Sequence, residues 1–158
     1  MKVAEIMTIS PETCRGTTNL AAAVDQLWRA DCGVLPVTDD AGALAGIVTD
    51  RDICIALGTR NRPASDIRVA EVMRGSVQTC RTDDDVTVAL GRMKDRRVRR
   101  LPVVDENRRL IGMLSLNDVV LAVGSGPNAV KPAGVMDTLK AICAHNLPTR
   151  VGGKADAA

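Results

Sequence analysis

Shifted by 66 residues, the chain falls on itself without a gap, and this constrains its fold more than any other feature. "KVAEIM" (2–7) meets "RVAEVM" (68–73), "TCR" (13–15) meets "TCR" (79–81), and "LPVTD" (35–39) meets "LPVVD" (101–105). "GIVTDRDI" (46–53) meets "GMLSLNDV" (112–119). Between residues 3 and 58 there are 18 identities in 56 positions, where chance would give a few, and many other pairs are apolar for apolar. Two units are too few for a solenoid, which generally needs at least three. Each is also too small to bury a core alone. The two copies must pack on one another as a pseudo-twofold pair, with equivalent surfaces facing across a shared cleft.

Within each unit the hydrophobic periodicity is readable. Leu20, Ala23, Val24 and Leu27 fall on one helical face, as do Val86, Ala89, Leu90 and Met93 in the second copy, with Asn19 and Asp85 placed as N-caps. Val34–Thr38 and Arg100–Asp105 are short β-rich runs ending in acidic turns. Leu44–Val48 and Leu110–Leu114 are second strands, each leading into a short helix from Asp50 or Leu116. An extended lead-in is expected at 8–14 and 74–80. Gly58 is expected to end the first unit's last helix, with Pro63 preventing its continuation. Beyond Gly124 a final amphipathic helix is expected from about Pro132 to His145, followed by a disordered tail "RVGGKADAA".

Composition removes several classes of function. With one Trp and no Phe or Tyr among 158 residues, the core must be Val, Leu, Ile, Ala and Met, and no aromatic platform exists for stacking bases. The formal net charge of +2 is too small to imply a polyanionic partner. Its distribution is uneven: residues 1–60 carry 5 basic and 8 acidic side chains, residues 61–124 carry 12 and 9. Five scattered cysteines without a C-x-x-C pair, and the single His145, indicate neither a disulfide framework nor a metal site. Cys14 and Cys80, at one repeat position, read as small buried hydrophobes. The start "MKVAEIMT" has no signal-peptide pattern, and no apolar run approaches the roughly 18 residues of a membrane span, so a cytoplasmic protein with no membrane association is expected. No nucleophile–base pair or carboxylate dyad is recognisable, and no catalytic residue or enzymatic activity is expected.

Two motifs carry the functional reading. Thr49-x-x-Asp52 and Ser115-x-x-Asp118 stand at strand-to-helix junctions. Each fits a capping box. Each equally fits a ligand site, because a carboxylate there accepts from vicinal hydroxyls such as a ribose, while the hydroxyl and helix start favour a phosphate. Retention in both copies does not separate these readings. The second motif is "RMKDRRVRR", where Arg92, Lys94, Arg96, Arg97, Arg99 and Arg100 surround one acid, Asp95. Most of it reads as a solvated helix end. Arg99 and Arg100 lead directly into a strand, however, and suit bidentate phosphate contacts. Their counterparts are Gly33 and Val34, so the two sites should not be equivalent.

In order and twice over, these motifs resemble a tandem of CBS (cystathionine β-synthase) domains, a Bateman module, across roughly residues 1–124. The resemblance implies an α+β fold of two pseudo-twofold-related repeats, each β-α-β-β-α: repeat 1 at 1–60, a linker at 61–67, repeat 2 at 68–124, and a C-terminal helix and tail at 125–158. It implies a free-standing, non-catalytic sensor of the bacterial type. The expected ligand is an adenine compound (AMP, ADP, ATP, NAD or S-adenosylmethionine) bound between the repeats, with no catalytic cofactor. It also implies a homodimer through the repeat helices and a further protein partner of unknown identity. By the same resemblance, the first site joins Ile47, Thr49 and Asp52 with Val77, Gln78, Thr79, Arg99 and Arg100. Asp52 would take the ribose hydroxyls, Thr49 and the arginines the phosphates, and the lead-in backbone the adenine. The second and weaker site joins Met113, Ser115 and Asp118 with Pro11, Glu12, Thr13, Cys32, Gly33 and Val34, and is expected to lack an arginine. The alternative function is an oligomerising or nucleic-acid-associated module acting through the Arg92–Arg100 basic patch.

Overall fold

A computed structural model of the protein describes residues 1–124, 126 and 129–144. His145 and the tail expected to be disordered lie outside the described residues. The architecture is α+β. In chain order the elements are β1 (Thr8–Ile9), β2 (Cys14–Arg15), α1 (Leu20–Arg29), β3 (Val34–Thr38), β4 (Leu44–Thr49), α2 (Asp50–Arg60), α3 (Val86–Arg96), β5 (Arg100–Val104), β6 (Leu110–Ser115), α4 (Leu116–Leu121) and α5 (Pro132–Cys143). Among the described residues no helix is long and apolar enough to cross a membrane.

Each copy builds an antiparallel hairpin, β3–β4 or β5–β6, with helices on one face. Asn19 and Asp85 cap α1 and α3 as expected, accepting from the N–H groups of Ala22 (2.9 Å) and Thr87 (2.9 Å). Strand alternation sends Leu35, Val37 and Val48 into one core and Leu101, Val103 and Leu114 into the other. The opposite faces of the two hairpins carry Val34, Pro36, Ile47 and Thr49 in the first copy, and Arg100, Pro102, Met113 and Ser115 in the second.

The lead-in is not one extended strand. Ser10 adopts a left-handed backbone (φ 50°) and divides it, so its two halves go to different sheets. Cys14 and Arg15 run parallel to β3 of their own copy, as Cys80 does beside Val103 of the second. Thr8 and Ile9 instead pair antiparallel with Met113 and Gly112 of the other copy, and Arg74 pairs in the same way with Ile47. The segment before each lead-in crosses as well. Val3 lies in the core of the second copy with Val86 and Met93, while Val69 lies in the first with Leu20 and Leu27. Symmetric hydrogen bonds fix the exchange: Val3 N–H to Asp84 C=O at 3.0 Å and Val69 N–H to Thr18 C=O at 2.8 Å. Each hydrophobic core therefore needs both repeats, although each repeat is continuous in sequence.

Two details differ from the sequence reading. Helix α2 runs through Gly58 to Arg60 and closes on Asn61, whose amide side chain tolerates the left-handed conformation it adopts (φ 48°). Helix α5 ends at Cys143 and lies on α3 and α4, where Val135 and Ile142 are buried with Leu90 and Val119. It breaks the pseudo-symmetry: Leu90 is 4% exposed beneath α5, while its counterpart Val24 is 43% exposed.

Candidate functional site

Both candidate motifs form complete capping boxes. The Asp52 N–H donates to Thr49 Oγ1 (3.1 Å), and the Thr49 N–H and hydroxyl donate to Asp52 Oδ2 (3.2 and 2.7 Å). In the second copy the Asp118 N–H donates to Ser115 Oγ (3.2 Å), and Ser115 donates from both N–H and hydroxyl to Asp118 Oδ2 (2.7 Å each). One carboxylate oxygen is thus spent on the helix start in each motif. The other points the same way in both copies, and its surroundings differ.

Around Asp52, Arg74 donates from Nε and Nη2 to Oδ1 at 3.2 and 3.0 Å. Arg74 reaches it because its backbone is clamped on Ile47 by two hydrogen bonds (2.8 and 3.0 Å) at the crossed lead-in. The Asp52 side chain is 9% exposed. Burial pushes its carboxyl pKa up, but the hydrogen bonds from Thr49 and Arg74 and the adjacent guanidinium charge outweigh this and hold it below the ordinary carboxylate value. Val77, Gln78 and Thr79 continue the lead-in from there. The Thr79 carbonyl is held by Arg92 Nη1 at 3.2 Å, as the Thr13 carbonyl is held by Gln26 Nε2 at 3.4 Å in the other copy.

Around Asp118 the structure has an open cleft of about 390 Å³, lined by Thr8, Ser10, Pro11, Glu12, Ala30, Cys32, Val34, Pro36, Arg100, Met113, Ser115 and Asp118. Seven of the nine residues expected here line it; Thr13 and Gly33 flank it without doing so. The position matching Arg74 is the neutral Thr8. Asp118 Oδ1 accepts no hydrogen bond from the described residues, and no described residue bonds the Arg100 guanidinium.

The arginines are not disposed as the sequence reading expects. Arg99 precedes β5, while Arg100 opens the strand and is half-buried. Arg99 is exposed, and its carbonyl accepts from the Leu116 N–H at 2.8 Å. Arg100, aligned with Ser115 across the β5–β6 hairpin, lines the second cleft, which was expected to hold no arginine. Gly33 lies beside it: a Cβ there would meet Arg100 Nη1 at an ordinary 3.8 Å and Asp50 Oδ2 at a tight 3.0 Å. Alternation along "RRLPV" was the available signal. Arg74, absent from the expected site, lies three residues before Val77, the first lead-in residue that the resemblance joined to Asp52. The basic patch is also reduced, because Arg92 turns inward to an ion pair with Asp84.

The arrangement defines a class: a duplicated module of two sheets that exchange their lead-in segments, with a capping-box carboxylate at the same place in each repeat and an open cleft at the second. The chain belongs to the CBS-domain family, whose pattern matches residues 3–59 and 69–125. It is 36% identical over 115 residues to inosine-5'-monophosphate dehydrogenase of Mycobacterium leprae, covering 72% of this chain and 21% of that protein. The chain thus spans about a fifth of the length of that curated relative. Among solved structures it is similar to the CBS domain pair of protein MJ0100 in complex with 5-methylthioadenosine and S-adenosyl-L-methionine (27% identity, TM-score 0.70, 77% of this chain and 94% of that one). It is also similar to CBSX2 in complex with AMP, a protein of Arabidopsis thaliana (28% identity, TM-score 0.68, 77% of this chain and 94% of that one).

Proposed function

We propose that the chain is a non-catalytic sensor that binds an adenine nucleotide in the cleft at Asp118 and passes its occupancy to a partner. One observation carries this reading: a cleft of about 390 Å³, within the usual range for small-molecule sites, holds an uncommitted carboxylate oxygen and an uncommitted guanidinium. Asp118 Oδ1 would accept from the ribose hydroxyls, Arg100 would take the phosphate, and the lead-in backbone at 10–12 would face the adenine. The similar MJ0100 and CBSX2 structures are complexes with three adenosine compounds, one with a phosphate. The exchanged lead-ins couple ligand to fold, because each cleft borders segments of both repeats. A ligand that fits one arrangement of the repeats better than another shifts their balance.

Thermal unfolding with AMP, ADP, ATP, NAD and S-adenosylmethionine tests the proposal. A ligand at 100 times its Kd should add about 2.7 kcal/mol of stability. Asp118→Ala should remove the shift, and Arg100→Ala should weaken AMP more than uncharged 5'-methylthioadenosine. If none of the five compounds raises the melting temperature, the proposal fails.

A further inference from the structure

The surroundings of Asp52 and Asp118 share a backbone plan but differ at one repeat position beside the carboxylate. In one it is Thr8; in the other it is Arg74, whose guanidinium already sits on Asp52 Oδ1 through two nitrogens. With Oδ2 taken by the capping box, both oxygens of Asp52 are engaged, and a ribose could use this carboxylate only by displacing Arg74. We infer that Arg74 is an internal competitor that closes the Asp52 cleft to nucleosides, so that Arg74 against Thr8 decides which of the two clefts fills. The inference rests on the nucleotide reading above and deepens it: the module is a single-site sensor, its second cleft occupied by its own side chain.

The arrangement favours competition over assistance. Arg74 is anchored on both sides of its Cα by the Ile47 hydrogen bonds, so the side chain alone would have to move. Asp52 is nearly buried while Arg74 is 66% exposed, so the carboxylate cannot turn to water when a ligand takes the guanidinium away. A charged hydrogen-bonded pair of this exposure corresponds to about a tenfold penalty on a competing neutral hydroxyl pair.

Arg74→Thr copies the residue of the other repeat and leaves the Ile47 backbone bonds intact, so the fold should persist; Arg74→Gln, without the charge, is the second variant. Isothermal titration with AMP should give one AMP per wild-type chain, with any second site at least about tenfold weaker. Arg74→Thr should bind two AMP with comparable affinity, Asp118→Ala none at the wild-type affinity, and Arg74→Thr with Asp118→Ala one. Two equal sites in the wild type, or a count of one in both Arg74 variants, would overturn the inference and leave the nucleotide reading standing. AMP bound by none of these proteins would overturn both.

Discussion

The exchange of lead-ins depends on two glycines, and substituting either should measure its strength. Gly46 and Gly112 occupy one repeat position, in β4 and β6, where the crossing segment of the other copy runs closest. A Cβ built on Gly46 would stand 2.6 Å from the Arg74 carbonyl oxygen, 3.2 Å from its carbonyl carbon and 3.3 Å from Met73 Sδ. On Gly112 it would stand 2.7 Å from the Thr8 carbonyl oxygen and 2.9 Å from Met7 Sδ. The oxygen is backbone and cannot rotate away, so the crossed segment must move off by about 0.8 Å to reach ordinary contact, and the overpacking costs about 1–3 kcal/mol. For Gly46 the displaced segment is held by two hydrogen bonds, Ile47 N–H to Arg74 C=O and Arg74 N–H to Ile47 C=O, at 3.0 and 2.8 Å. Weakening both adds up to about 1 kcal/mol each.

Gly46→Ala should therefore lose about 2–4 kcal/mol, a large part of the 5–15 kcal/mol typical of a domain. The melting temperature should fall by roughly 6–12 °C. The control is Gly91→Ala, in the middle of α3 with nothing within 4 Å of its built Cβ. There the change removes only the cost of glycine in a helix and should stabilise by about 0.5–1 kcal/mol. Urea unfolding followed by far-UV circular dichroism reads both, provided the slope is unchanged. Gly46→Ala within about 0.5 kcal/mol of wild type would refute the close crossing, and with it the account of how the two cores are tied together.

Three other outcomes are expected. Burial pushes the Cys14 thiol up to about 11 and, with help from the Asp84 charge, the Cys80 thiol up to about 12, so both stay protonated at neutral pH. Iodoacetamide with mass-spectrometric readout should label exposed Cys54 and Cys143 in the native protein and spare Cys14 and Cys80 until it unfolds. Asp84 is raised by partial burial but lowered further by the Arg81 N–H and by Arg92, leaving its pKa below the ordinary value. Its contribution is therefore present above the unfolded carboxyl pKa near 3.9 and is lost as pH falls through the folded one. Asp84→Asn should cost about 1–2 kcal/mol at pH 7 in urea unfolding and converge with wild type at acid pH; a constant gap across pH 3–7 would contradict this. Trp28, the single tryptophan, is 84% exposed beside the α1–α2 groove. If the chain dimerises through these helices, its fluorescence should shift to the blue with rising concentration, in step with the mass from analytical ultracentrifugation.

Most of the fold could be read from the repeat and its periodicities. Apolar spacing placed α1 and α3, N-caps marked their starts, and "LPV" with the following turn marked each hairpin. The retained glycine at 46 and 112 belongs to the same record, because a position that admits no side chain in one copy admits none in the other. The exchange was not legible in the periodicity; only the family resemblance joined the lead-in of each repeat to the motif of the other. A lead-in that pairs with its own sheet and one that crosses over have the same local pattern, and only long-range packing chooses between them. Helix α2 overran its expected end because Gly58 meets no steric or conformational demand to stop there, while Asn61 can take the left-handed cap.

The exchange also sorts the arginines of repeat 2. Repeat 2 carries Arg74, Arg99 and Arg100 where repeat 1 carries Thr8, Gly33 and Val34. If each repeat supplied one cleft, all three charges would collect in one place. The lead-in crosses over while the strand β5 stays, so Arg74 is delivered to the carboxylate of repeat 1 and Arg100 lies beside that of repeat 2. Arg99, just ahead of the strand, is exposed. In one cleft an arginine contacts the carboxylate itself; in the other it stands apart from the carboxylate and leaves it open. The arginines of repeat 2 thus stand near the motif carboxylates of both repeats, in different ways. On the proposed reading, an Asp52 site closed by Arg74 and an Asp118 cleft open to an anion both follow from where the crossing places these side chains.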